Sequence, residues 1–213
     1  MKSERPELRS ADGLRLEAEL SIPEEARAAL VFCHPHPQMG GTMNAPLLMA
    51  VTEELVERSW VVLRFNFRGI GESEGEATTG SAEVADAEGA VALLRERFAR
   101  LPVAIAGWSF GAAVATRVAA NDNRLAALVA IAPSVEEKPG ITDGLPDAEK
   151  VDLEIPALVL CAVNDELVNL ESARRWAEVA QTEWYAMEGA NHFFWAKYDE
   201  LAVVVADFLD AEV

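Results

Sequence analysis

A serine, a histidine that can take its proton and an acid that holds the histidine can together break an acyl bond near neutral pH. The 213-residue chain has three histidines, His34, His36 and His192. Ser109 is the centre of Gly107-Trp108-Ser109-Phe110-Gly111, a G-x-S-x-G pentapeptide. Asp165 lies in Ala162-Val163-Asn164-Asp165-Glu166, and His192 in Gly189-Ala190-Asn191-His192-Phe193. A serine hydroxyl needs a base, and the base needs an orienting acid, so these three residues are the candidate nucleophile, acid and base.

Chemistry of this kind needs elements that hold the three side chains together. Residues 101–106 form a short apolar run that reads as a buried strand, and residues 112–120 read as a helix. Ser109 must then sit on a tight strand-to-helix turn. The flanking glycines, lacking Cβ, let strand and helix approach closely, and the helix N-terminus favours developing negative charge. Asp165 directly follows the apolar run 156–162, and His192 follows the short strand 183–187. Functional groups of doubly wound sheets gather at the carboxyl ends of strands. The chain order Ser109, Asp165, His192, each behind its own strand, is the arrangement of the α/β-hydrolase fold.

The remaining pattern agrees with that architecture. Further strands are expected at residues 28–33, 60–67 and 125–131. Helices are expected from Asn44, as N-cap, to about Ser59, and at 81–100, 170–180 and 195–209. The alternation from residue 28 onward predicts a mostly parallel sheet with helices on both faces. Asp12-Gly13 predicts a hairpin turn between residues 7–10 and the alternating run 14–20. On helix 81–100 the core stripe is expected at Ala85, Gly89, Ala92 and Leu93. No repeat or inter-domain linker interrupts the chain, so residues 1–213 read as one domain. Residues 133–154 are the one plausible insertion.

Composition narrows the partners. The 36 acidic and 18 basic residues give a formal net charge of −18, which argues against nucleic acid and anionic membranes as partners. The first residues show no apolar signal-peptide core, and no uncharged run approaches the roughly 18 residues of a membrane span. A cytoplasmic protein, monomer or homodimer, is expected. Cys33 and Cys161 fall in apolar strands and read as small buried hydrophobes.

Backbone donors for an acyl oxyanion are expected from the N–H of Phe110, next to the nucleophile, and from the loop His34-Pro35-His36-Pro37. Proline has no N–H, which leaves His36, with Gln38 as second choice. Glu166 is an alternative to Asp165 as the acid. A metal held by His34 and His36 lacks an evident third ligand nearby. Gly69-Ile70-Gly71 follows a strand but fails the dinucleotide fingerprint, since Glu74 occupies the last glycine position. These glycines instead suggest a loop passing close to the site; Arg64 and Arg68 could meet polar substrate groups, with surface or structural pairing the default.

His34-Pro35-His36-Pro37, Gly40-Gly41-Thr42-Met43-Asn44 and Asn66-Phe67-Arg68-Gly69-Ile70-Gly71-Glu72-Ser73-Glu74-Gly75 resemble the small bacterial α/β hydrolases related to dienelactone hydrolases and carboxylesterases. The resemblance covers nearly the whole chain. It implies an eight-stranded hydrolase with a Ser-His-Asp triad and no large cap. Dienelactone hydrolases carry a cysteine nucleophile, and dehalogenases and epoxide hydrolases of this fold an aspartate, so Ser109 argues against those substrates. The expectation is a serine hydrolase of small carboxylic esters, needing no cofactor or metal. The alternatives are a thioesterase or other acyl hydrolase or transferase on the same triad, and a non-catalytic binding module of the same fold. With only residues 133–154 available as a lid, an open site that takes short acyl groups is expected.

Overall fold

The computed structural model describes residues 2–213 apart from Gln38. The strands are β1 Lys2–Glu4, β2 Leu8–Arg9, β3 Arg15–Leu16, β4 Ala18–Ile22, β5 Ala28–Cys33, β6 Trp60–Phe65, β7 Val103–Trp108, β8 Leu128–Ile131, β9 Ala157–Ala162 and β10 Glu183–Met187. The helices are α1 Pro46–Glu57, α2 Glu83–Arg97, α3 Phe110–Ala119, α4 Leu170–Val179 and α5 Tyr198–Glu212. Eight strands form one sheet in the order β1-β4-β6-β5-β7-β8-β9-β10, while β2 and β3 pair separately. From β6 to β10 every pairing is parallel; β1 and β4 add an antiparallel edge.

The central strands read as unbroken apolar runs because both faces of the sheet are covered. Strand β5 shows how the two-residue period divides the core. Ala28, Leu30 and Phe32 pack with Leu47, Val51 and Leu55 of α1 and with Leu201 and Val205 of α5. Ala29, Val31 and Cys33 face the other way, toward Ala90 and Leu94 of α2 and Val114 and Val118 of α3.

From β5 the chain first crosses to β6 on one side and then, through α2, to β7 on the other side of β5. The loops after β5 and β7 therefore leave adjacent strand ends in opposite directions. Such a reversal opens a crevice at the carboxyl edge of the sheet. The loop of His36 and the turn of Ser109 lie there.

Several local expectations change in the folded chain. The run 14–20 is two strands, because Glu17 turns out of the ladder. Its N–H donates to Ser73 Oγ (2.9 Å), and its carboxylate accepts from Asn66 Nδ2 (2.7 Å) and the Glu72 N–H (3.0 Å). Ala45, not Asn44, is the N-cap of α1, and no side chain caps it. Asn44 instead offers Oδ1 to Arg64 Nη1 at 3.3 Å. Helix α2 buries Asp86, Ala87, Ala90, Val91 and Leu94, with Gly89, and leaves Ala92 exposed. The face rotates because two acids point inward. Asp86 pairs with Arg68 (2.7 Å) and accepts its N–H (2.9 Å), and Glu83 accepts the N–H groups of Thr78 (2.6 Å) and Gly80 (3.1 Å).

The two elbow glycines act by close approach. A Cβ on Gly107 would stand 2.2 Å from the Gly111 carbonyl oxygen, and one on Gly111 would stand 2.4 Å from the carbonyl oxygens of Cys33 and His34. Each contact is with backbone, which cannot swing aside. Gly107→Ala is therefore expected to lower stability by about 1–3 kcal/mol, the usual cost of overpacking, as a reduced urea midpoint. An unchanged midpoint would mean that strand and helix can separate without cost.

Candidate active site

Ser109 caps the N-terminus of α3 with φ 55° and ψ −112°. An L-residue with positive φ is strained by about 1–3 kcal/mol, and surrounding structure must hold it. Besides the glycine contacts, the Ser109 N–H donates to Ile131 O (2.8 Å), and its carbonyl accepts from Ala112 and Ser134 N–H (3.1 and 3.3 Å). The hydroxyl is thereby presented above the strand end.

His192 Nε2 stands 3.1 Å from Ser109 Oγ. Its Nδ1 lies 2.8 and 3.0 Å from the two carboxylate oxygens of Asp165. The Asp165 side chain is fully buried, and its Oδ1 also accepts the N–H groups of Leu167 and Val168, both at 2.8 Å. Those bonds compensate a carboxylate removed from water. They leave Nδ1 of His192 as the donor and Nε2 as the acceptor toward serine. Glu166 does not replace Asp165; its Oε2 accepts the His192 backbone N–H at 3.3 Å. Trp108 Nε1 donates to the His192 carbonyl (3.3 Å), so the backbone of His192 is held on both sides of its Cα.

The loop after β5 folds back on itself. The Gly41 N–H donates to the His36 carbonyl (3.0 Å), and a Cβ at Gly41 would meet Pro35 O at 2.1 Å. The His36 ring sits edge-on to Phe110, centroids 5.2 Å apart, and its Nε2 lies 2.9 Å from Ile141 O. His36 and Phe110 thus stand side by side at the start of α3, where first-turn N–H groups have no intrahelical acceptor. Gln38, the other candidate donor, lies outside the described residues.

His34 has a different role. It is fully buried. Nδ1 bonds the Pro35 carbonyl (2.7 Å) and Nε2 accepts the Phe67 N–H (3.0 Å), so both nitrogens are used within the protein. This joins the loops after β5 and β6, and it removes His34 as a partner of His36 in a metal pair. Among the described residues no group of three or more His, Cys, Asp or Glu side chains is placed to hold a metal. Burial pushes Cys33 well above the ordinary thiol range and Cys161 to about 12, so neither is a nucleophile.

The glycine-rich loop after β6 runs beside the site's scaffold and does not line the cleft. Gly71 packs on Glu17 Oε2 and Asn66 Nδ2. Asn66 Oδ1 accepts the Met43 N–H (2.8 Å) and Arg64 donates to Met43 O (2.7 Å) and to Glu19 (3.0 Å). Arg64 and Arg68 are structural, as expected.

The open face around Ser109 has two lobes that share His36, Met39, Ser109, Leu167 and His192. One, about 320 Å³, is bounded by Ser134, Glu136, Lys138, Thr142 and Ser172. The other, about 440 Å³, is bounded by Trp108, Phe193, Trp195 and Tyr198. Residues 133–154 carry no helix or strand, only the bridge Lys138–Thr142. Sequence reasoning missed the aromatic wall. Its signal was Phe193-Phe194-Trp195, three aromatics in a loop directly behind the candidate base.

The fold and the serine elbow define an α/β-hydrolase. A family model described as serine aminopeptidase, S33, matches residues 24–151, and the chain belongs to that family. It is 29% identical over 198 residues to an uncharacterized protein of Rickettsia prowazekii, covering 86% of this chain and 79% of that one. An alpha-beta serine hydrolase homologue from Coxiella burnetii superimposes with a TM-score of 0.85 at 28% identity, covering 97% of both chains. A serine hydrolase without lid from Xanthomonas campestris gives 0.84 at 27% identity, covering 99% of this chain and 95% of that one.

Burial lowers the pKa of His34 from 6.5 to about 4. The folded state thus binds the neutral ring. Its stabilising effect is complete above about pH 6.5 and is lost as pH falls through about 4. The gap in unfolding free energy between wild type and His34→Gln should therefore narrow by roughly 3 kcal/mol from pH 7 to pH 4. A constant gap in urea titrations at the two pH values would contradict this.

Proposed function

We propose that the protein hydrolyses small carboxylic esters through an acyl-enzyme on Ser109. The observation that carries this reading is the continuous hydrogen-bond chain from Asp165 through His192 to a serine held on a strained elbow. Ser109 Oγ attacks the ester carbonyl as its proton moves to His192 Nε2. Asp165 keeps the Nδ1 proton in place and offsets the imidazolium charge. The carbonyl oxygen becomes an oxyanion, received by the N–H groups of Phe110 and His36. Collapse breaks the carbonyl–alkoxide bond, and the alkoxide leaves with the proton from Nε2. Water then gives a proton to His192 and attacks the acyl carbon, and Ser109 recovers its proton as the acid departs.

An uncharged substrate fits the surroundings. Of the described residues that line the two lobes, Glu136 is the one acidic side chain and Lys138 the one lysine or arginine, and both bound the same lobe. Residues 133–154, the one segment available as a lid, carry no helix or strand, which supports the reading that the site takes short acyl groups.

A fluorophosphonate probe should label the wild-type protein and not Ser109→Ala, which should lose at least about 10³-fold in ester kcat/KM. A folded wild-type protein that neither takes the label nor turns over any of a panel of short esters would overturn the proposal. Asp165→Asn should reduce kcat by about 10³–10⁴-fold, because the amide admits the wrong histidine tautomer. A loss under tenfold in steady-state assays would assign the acid's role elsewhere.

A further inference from the structure

The aromatic lobe differs from the rest of the surface. A quarter of the chain's residues are charged, yet among the described residues no Asp, Glu, Lys or Arg lines this lobe. Its wall is a chain of rings that starts at the candidate base. Phe193 stands edge-on to His192 (centroids 5.5 Å, 89°) and to Trp108 (6.4 Å, 90°), and it stacks on Trp195 (5.0 Å, 14°).

Trp195 is 64% exposed, although tryptophan is among the costliest side chains to leave in water. The backbone holds it there. Phe194 and Ala196, its two neighbours, both have left-handed φ, 53° and 61°. Neither is glycine, so each stores backbone strain. Phe194 is fully buried and anchors the turn in the core with Leu201 and Val205. A strained turn that pushes an indole out beside the nucleophile, already stacked on a second ring, needs a compensating role. Met39 (66% exposed) and Leu167 (41% exposed) complete an apolar rim where the two lobes meet.

We propose that this lobe is a specificity site for an uncharged aryl group of the ester, seated against Phe193 and Trp195 while the reacting carbonyl lies at Ser109. The opposite lobe, with Ser134, Thr142 and Ser172, takes the smaller or more polar part of the substrate. Aromatic pairs in offset or edge geometry gain beyond their buried area, so the lobe discriminates a flat ring from a saturated ring of equal size. This inference rests on the ester-hydrolase reading and adds the substrate class.

The test compares esters that differ only in ring saturation, so that ring size is matched, and the intrinsic reactivity difference within each pair is the same for wild type and variants. Benzyl acetate against cyclohexylmethyl acetate places the ring on the alcohol. Methyl phenylacetate against methyl cyclohexylacetate places it on the acyl group. In one of the two pairs the aryl ester should have about fivefold higher kcat/KM, within the range expected of ring stacking. The preference should appear mainly in KM. It should collapse toward unity in Trp195→Ala and persist in Trp195→Phe, with thermal unfolding confirming that both variants fold. Equal kcat/KM in both pairs, or a preference that survives Trp195→Ala, would overturn the inference. Ethyl acetate separates this outcome from a failure of the hydrolase reading, because turnover of ethyl acetate without aryl preference rejects only the specificity site. Absence of turnover on every ester rejects the hydrolase reading and the specificity site with it.

Discussion

The structure depends on one close approach. The first turn of α3 is pressed so tightly against the ends of β5 and β7 that neither Gly107 nor Gly111 has room for a methyl group. That contact holds Ser109 in a backbone conformation an isolated chain would leave. It also brings the loops of His36 and Ser109 to the same point of the sheet edge. The sheet, with helices on both faces, supplies the rigidity that keeps the approach tight.

A second, polar layer supports the loop opposite the serine. Glu17, Asn66, Ser73 and Arg64 form a connected network whose outputs are the backbone groups of Met43, just beyond the Gly40-Gly41 turn. His34 ties the same loop to Phe67 from beneath. The conspicuous NFRG-x-G-x-S motif is thus absorbed into scaffolding. Gly71 lets the chain pass over Glu17, Arg68 of the motif pairs with Asp86 and Asp12, and Arg64 just before it pairs with Glu19. None of these groups lines the cleft.

Strain and exposed apolar surface are concentrated at the same place. Left-handed non-glycine residues include Ser109, Ala132, Phe194 and Ala196, all on loops at the carboxyl edge. Among the described residues, four of the seven large exposed hydrophobic side chains, Met39, Ile141, Leu167 and Trp195, border the two lobes. A chain carrying a charge of −18 elsewhere keeps this rim apolar. Local cost with no benefit to folding is the pattern expected of a surface shaped for a ligand.

The sequence by itself determined the layered parallel sheet, since strands buried on both faces must be continuously apolar and helices between them periodic. It also marked Ser109, Asp165 and His192, because their order behind successive strands is a property of the chain. Leu8–Arg9 and Arg15–Leu16 were legible as a hairpin through Asp12-Gly13, but the split at Glu17 was not, because it arises from hydrogen bonds to residues 66–73. The rotated face of α2 was equally hidden. Asp86 and Glu83 look like surface acids until Arg68 and the Thr78 and Gly80 N–H groups, distant or non-helical in sequence, are brought to them. Only the tertiary structure decided that Asp165 and not Glu166 reaches His192, that His34 is a buried strut, and that Phe193 and Trp195 stack into a wall. Each of those outcomes turns on where a side chain points after distant segments meet, and no local periodicity encodes that.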